Sequence, residues 1–371
     1  MVKKIVLTGG PCAGKTTALS NIEETLTEKG YIVLIVGESA TELIKGGIKV
    51  TNVGLMNFQK LILKHQLQKE KVYDEATKFI PRSKKVVIIY DRGLIDNKAY
   101  IGQNKFNKLL NELNLNEIDL MDRYDMVIHL VTAADGKEEY YTLENNNARS
   151  ESASEACELD KKTINAWLGH NNLKIIDNST NFEDKINRTL DTINNLLGEP
   201  TSLRYQRKFL VDLNKSKFEF NEDNSTKIDI VQTYLGNYNY EKRLRKRIYN
   251  GETSYFLTVQ LPKNNSSKRV ITNQKINEKD YEKIYMFDNN KYEINKTRYT
   301  FTKDKQYFKL DVFNDIENFA ILEIDVKDEN EMINIPNNIK VIKEVSNDKN
   351  YDNYNIAKSN NLKVKTKKLA V

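Results

Sequence analysis

The sequence predicts two domains of different class: an α/β P-loop domain with a parallel sheet and helices on both faces, then a mainly antiparallel β tunnel or barrel. Three observations carry this. Over the first 200 residues continuous apolar runs alternate with helical stretches. After Ser202 the pattern changes to strands of alternating polarity rich in Tyr, Phe, Ile, Val and Thr. Charge also changes: residues 201–371 hold 32 basic and 24 acidic side chains, +8, against −2 for residues 1–200.

The first domain is expected over residues 1–198. Lys4–Thr8, Tyr31–Gly37, Lys85–Tyr90, Asp125–Val131 and Leu173–Asp177 read as strands. Their unbroken apolar runs suit strands buried on both faces of a parallel sheet. The helical stretches between them suit βαβ crossovers. The last, Asn181–Leu197, stops at Gly198, and residues 199–203 read as a linker.

"GGPCAGKTT" comprises Gly9, Gly10, Pro11, Cys12, Ala13, Gly14, Lys15, Thr16 and Thr17. It follows a strand and opens a helix, the context that defines a P-loop. Glycines allow the tight turn that aims backbone N–H groups at phosphate oxygens, and the helix N-terminus adds its positive dipole end. Lys15 is expected on the β- and γ-phosphates and Thr16 on Mg²⁺. ATP or GTP is the expected ligand; no Asn-Lys-x-Asp guanine motif is present, and "IDNST" (176–180) does not decide the base. Asp91 ends the strand in "VVIIYDRGLID" and is the candidate second Mg²⁺ group, or an ordinary strand-end cap. Arg92 is a candidate for phosphate or substrate contact, or for a structural ion pair. Glu38 closes the second strand; it is a candidate general base, with a substrate hydroxyl contact or a helix cap as alternatives and Asp96 as competitor. The polar segment 135–160 reads as a lid, with Arg149 either swinging onto the phosphates or standing as a solvated loop arginine.

In the second domain, expected over 204–358 with a basic tail at 359–371, the strands are Gln206–Leu213, Lys227–Leu235, Lys242–Tyr249, Ser254–Gln260, Arg269–Ile276, Lys291–Thr302, Tyr307–Val312 and Phe319–Val326. In "RYQRKFL" (204–210) alternate residues Arg204, Gln206 and Lys208 share a face with no carboxylate among them. Arg245 and Arg247 share a face, as do Lys296 and Arg298, and Glu323 and Asp325. Such pairs converge inside a barrel, and buried like charges demand a polyanion or counter-charges. The alternative is that they face solvent.

The longest apolar runs, "IVLIV" and "VVII", are too short to span a bilayer, and the opening "MVKKIVLTGG" has no secretory pattern. Two cysteines and three histidines lack zinc-type spacing. A reduced, cytoplasmic protein is expected. No basic strip interleaved with stacking aromatics points to nucleic acid.

"IVLTGGPCAGKTT", "GESATELI", "YDRGLID" and "ARSESASEA" followed by Trp167 and His170 resemble the NadR-like P-loop ATPase/kinase group. The resemblance implies ATP or GTP binding with Mg²⁺ and phosphoryl transfer to an acceptor it does not specify. "RKFLV", "VQTYL", "RLRKR", "GETSYFLTVQ", "INKTRY", "KLDVF", "ILEIDV" and "EVSNDKNYDNYNIA" resemble, in order, the CYTH superfamily of triphosphate tunnel enzymes. That resemblance implies a tunnel in which basic residues, here Lys208, Arg245, Arg247, Arg269, Lys296 and Arg298, hold a polyphosphate and acidic ones hold a metal. The family's Glu-x-Glu-x-Lys opening is here Arg204-Tyr-Gln206-Arg-Lys208. Ile271 and Asn273 follow Arg269 in place of glutamates, and Gln260 stands where lysine is usual. Glu323 and Asp325 remain as metal candidates, with Asp311. A tunnel that binds a polyanion without cleaving it is therefore expected. The domain order resembles the TRPL translocation defect protein family. This implies an ATP- or GTP-binding protein whose second domain contacts phosphoinositide. The tunnel reading itself leaves phosphoinositide, polyphosphate and nucleotide open as the ligand, and peripheral membrane contact is expected with the first.

Overall fold

The computed structural model describes residues 2–137, 152–199, 205–218, 220, 224–236, 241–262, 269–326 and 330–360. It divides into two compact units, Met1–Ser202 and Leu203–Val371.

In the first unit, β1 (Val2–Gly9), α1 (Lys15–Glu28), β2 (Tyr31–Val36), α2 (Ser39–Lys45), α3 (Val50–Val53), α4 (Leu55–Phe79), β3 (Lys85–Asp91), α5 (Asp96–Ile101), α6 (Gln103–Glu112), α7 (Glu117–Met121), β4 (Met126–Leu130), α8 (Ala153–Ala166), β5 (Leu173–Ile176) and α9 (Phe182–Leu197) follow in order. The five strands form a parallel sheet ordered β2-β3-β1-β4-β5. Ile5, Leu7, Val87, Ile89, Ile128 and Leu130 are almost wholly buried and pack against α1 and α9 through Ile22, Leu26, Ile186 and Ile193. Burial on both faces is why these strands read as continuous apolar runs. Asn181 caps α9 by accepting from the Asp184 N–H, and Gly198 ends it at φ 75°.

The segment 135–160 is not a loop to its end. Residues 138–151 lie outside those described, and Arg149 with them. From Ala153 the chain is helical, because Ser152 and Glu155 form a reciprocal capping box and Ala156, Asp160, Thr163 and Ile164 turn one face inward. The serines and glutamates that made the stretch read as polar are the helix's own start signal.

The second unit contains β6 (Tyr205–Asp212), β7 (Ser225–Leu235), β8 (Glu241–Tyr249), β9 (Glu252–Pro262), β10 (Arg269–Ile276), α10 (Glu278–Phe287), β11 (Lys291–Lys303), β12 (Gln306–Phe313), β13 (Phe319–Val326) and β14 (Val341–Glu344). All pairings are antiparallel, in the order β10-β9-β8-β7-β11-β12-β13-β6-β14. One face carries an apolar core of Phe209, Val211, Phe301, Phe308, Leu310, Leu322 and Ile324. Strand alternation sends the intervening residues to the other face. β14 and α10 are elements the sequence pattern did not reveal. The four residues of β14 are all exposed, so burial imposes no periodicity on them. In α10 only Tyr281 is buried.

Candidate nucleotide site and the charged sheet face

β1 delivers the chain to Gly9, and α1 begins at Lys15. Gly14 caps α1 at φ 85°, and no acidic side chain occupies the first turn of α1. A Cβ on Gly14 would lie 2.5 Å from the Phe182 ring, so this position requires glycine twice over. Cys12 is also left-handed, at φ 55°. Lys15 is buried, while Thr16 and Thr17 are exposed at the helix start.

The loop rests on residues that sequence reasoning missed. Asp160 Oδ1 accepts from the Gly10 N–H at 2.7 Å and the Thr132 N–H at 3.1 Å, and lies 3.0 Å from His129 Nε2. Burial opposes the charge on Asp160, but His129 and these donors hold its carboxyl below the usual range. Thr132 Oγ1 donates to the Pro11 carbonyl. Lys185 Nζ donates to the carbonyls of Ala13 at 3.2 Å and Val131 at 2.7 Å, and to Asn178 Oδ1 at 2.8 Å. Asp160 and Lys185 lie 150 and 172 positions from their loop partners. No local pattern links residues so far apart.

β3 lies directly beside β1, with Asp91 opposite Leu7. Asp91 Oδ1 is buried and has no hydrogen-bond partner among the described residues. Burial raises the pKa of Asp91, Glu38 and Asp96 add to the rise, and Lys15 opposes it. A buried carboxylate oxygen beside a P-loop fits a divalent cation ligand, directly or through water, and the exposed Thr16 hydroxyl fits as its partner.

Arg92, the next residue, has φ 71°. Its Nε donates to Glu38 Oε1 at 2.6 Å, and Thr41 Oγ1 donates to Glu38 Oε2 at 2.6 Å. Burial favours the neutral Glu38 acid, yet Arg92, Lys15 and the two hydrogen bonds bring its pKa down to about 2. Glu38 is thus the anionic member of an ion pair, and its side chain makes no cap bond to α2. A carboxyl at about 2 is a weak proton acceptor near neutral pH. Asp96 is fully engaged, accepting from Thr8 Oγ1 at 2.6 Å, the Gly93 N–H at 2.6 Å and Trp167 Nε1 at 3.0 Å. It anchors the turn after β3.

In the second unit Lys208, Arg243, Arg245, Arg247, Lys296, Arg298 and Lys309 share one face. Arg298 stands opposite Asp311 across β11 and β12, Lys309 opposite Glu323, and Glu323 opposite Lys208. Asp311, only 1% exposed, accepts from Lys296 Nζ at 2.5 Å and from Arg298 Nε and Nη2 at 2.6 and 2.7 Å. Burial opposes its charge, but the two cations hold it well below the usual carboxylate range. Arg298 reaches Glu323 at 3.3 Å, Lys309 Nζ lies 3.8 Å from Asp325, and Lys208 pairs with Asp352 at 2.8 Å. Glu323 and Asp325 therefore serve as counter-ions here. Among the described residues no group of three His, Cys, Asp or Glu is arranged to hold a metal.

Arg243, Arg245 and Arg247 occupy the same face of β8. The residues directly across from Arg245 and Arg247 are uncharged: Gln232 and Ile230 on β7, Phe256 and Ser254 on β9. Arg245 lies over the Phe256 ring at 5.1 Å, and Arg247 is 1% exposed. Gln206 and Lys208 share this face across from Asp325 and Glu323. Arg204 and the Arg269 side chain lie outside the described residues.

The AAA_28 family model, an AAA domain, matches residues 4–185. The first unit is thus a P-loop-type domain by motif, fold and family match. No curated protein matches the chain. Among solved structures, the chain is similar to the inorganic triphosphatase NE1496, with 25% identity over 42% of this chain and 94% of that one and a TM-score of 0.31. It is also similar to the PH1819 protein of Pyrococcus horikoshii OT3, with 18% identity over 34% and 80% and a TM-score of 0.24. No helix among the described residues is long and apolar enough to cross a membrane.

Proposed function

We propose that the chain binds a nucleoside triphosphate with Mg²⁺ at Gly9–Thr17 and hydrolyses it, and that its second unit binds a polyanion. The observation that carries the first part is the buried Asp91 oxygen beside the P-loop. In this reading the loop N–H groups and Lys15 hold the phosphates, and Thr16 and Asp91 hold the metal. Mg²⁺ supplies charge neutralisation at the β- and γ-phosphates when bound. Arg149 is proposed to add a cation from the segment after β4.

Hydrolysis is preferred over small-molecule phosphorylation because Glu38 is committed to Arg92. A kinase would need that pair to open before Glu38 took a proton. The second part is supported by the cationic face of β8, β11 and β12. Its proposed ligand is phosphoinositide, polyphosphate or nucleotide. The resemblance to the TRPL family and the loss of the CYTH superfamily's opening glutamates favour binding over cleavage. Membrane association would follow only from a phosphoinositide ligand.

The test is thermal unfolding of the wild type and Lys15→Ala with MgATP, MgGTP and magnesium tripolyphosphate, together with phosphate release. The expected outcome is stabilisation by nucleotide and by tripolyphosphate in the wild type. In Lys15→Ala only the nucleotide effect is lost, with affinity down at least about tenfold, about 1.4 kcal/mol. No response of the wild type to either nucleotide overturns the first part. Rapid phosphate release from tripolyphosphate by Lys15→Ala would make the second unit an enzyme.

A further inference from the structure

We propose that Cys12 and Cys157 form a redox-modification site, a reversible disulfide that ties the P-loop to α8 and closes the nucleotide site under peroxide. This rests on the nucleotide-binding reading above. The chain contains only these two cysteines, and both are thiols of intermediate exposure. They lie 145 positions apart yet touch the same dipeptide. The Cys12 carbonyl accepts from the Ala133 N–H at 3.3 Å, and Cys157 Sγ donates to the Ala134 carbonyl at 3.3 Å.

A second, independent contact joins the same two elements. Asp160, one helical turn beyond Cys157 and on the same helix face, accepts from the Gly10 N–H two residues before Cys12. The face of α8 bearing both residues is therefore applied to the loop that includes Cys12. Cys12 already has φ 55°, so the loop is held in a turn whose backbone N–H groups are the phosphate ligands. A cross-link at Cys12 would pull that turn towards α8 and misdirect those groups.

The chemistry balances with a peroxide as oxidant. One thiolate attacks the peroxide; an S–O bond forms, the O–O bond breaks and hydroxide leaves, giving a sulfenic acid. The other thiolate attacks that sulfur; the S–S bond forms and the oxygen departs as water. Two thiols lose two electrons and hydrogen peroxide becomes two waters. A dithiol reverses the reaction.

The experiment uses the full chain, reduced and then exposed to hydrogen peroxide, followed by alkylation, a non-reducing peptide map and MgATP binding. The expected result is a linked Cys12–Cys157 peptide, nucleotide binding weaker by at least about tenfold, and recovery of both with dithiothreitol. Bound nucleotide should slow the cross-link. Cys157→Ser, which keeps a donor to Ala134, should bind nucleotide normally when reduced and yield no linked peptide. Two separately alkylated cysteines after peroxide, or a linked protein that binds MgATP as tightly as the reduced one, would overturn the proposal. If the reduced protein binds no nucleotide, the P-loop reading itself fails, and with it the switch, whatever the map shows.

Discussion

Asp160 holds the P-loop through a single oxygen that serves Gly10 N–H, Thr132 N–H and His129 at once. Asp160→Asn weakens that acceptor and leaves buried donors under-served. The expected cost is about 1–3 kcal/mol in chemical denaturation, together with weaker nucleotide binding; an unchanged denaturation midpoint would show that the loop supports itself. Glu38 makes a pH-dependent contribution. Its pKa lies at about 2 in the folded protein against an ordinary 4.5. A depressed carboxylate stabilises the fold fully above its unfolded value and loses that contribution as pH falls through the folded one. The Glu38–Arg92 pair should thus help stability in full above about pH 4.5 and progressively less towards pH 2. Glu38→Gln should remove that part of the acid sensitivity in melts on either side of the window. Equal acid sensitivity in both proteins would mean the pair contributes nothing.

The turn from β1 into α1 depends on element geometry as much as on side chains. Gly14 combines a left-handed backbone with a close approach to Phe182. The backbone part of Gly14→Ala should cost about 1–2 kcal/mol, with a steric part added. Phe182→Ala in the same chain should relieve the steric part only. A double variant more stable than Phe182→Ala alone would contradict this division. The match between strand β3 and its neighbour matters equally: with no strand between β1 and β3, the last residue of β3 falls beside the loop.

At the scale of the whole molecule, two units use charge differently. In the second unit a buried face is neutralised partly from within, Asp311 answering Lys296 and Arg298. Removing that charge with Asp311→Asn leaves the buried Lys296 and the partly buried Arg298 under-compensated and should destabilise by about 3–5 kcal/mol. A polyanion that binds the face should offset part of the loss by mass action. The check is the melting shift on adding tripolyphosphate, which should be larger in Asp311→Asn than in the wild type. An equal or smaller shift would place the ligand away from this cluster.

Local regularity made the parallel strands, the P-loop and the alternating strands of the second unit legible. Continuous burial writes an apolar run, a helix entry needs Gly14-Lys15-Thr16, and a two-faced sheet writes alternation. β14 and α10 stayed hidden because little of either is buried, and the helical end of 135–160 was masked by its own polar capping box. At the site, the sequence determined where the candidate phosphate-binding residues lie, namely Gly9 to Thr17 with Asp91 at a strand end. Tertiary structure alone decided that Asp160 and Lys185 brace the loop, that Arg92 claims Glu38, and that Asp311 lies between two cations. Those pairings join residues far apart in the chain. Their energies depend on distance and on the water excluded around them, and neither quantity is defined until the sheet has assembled.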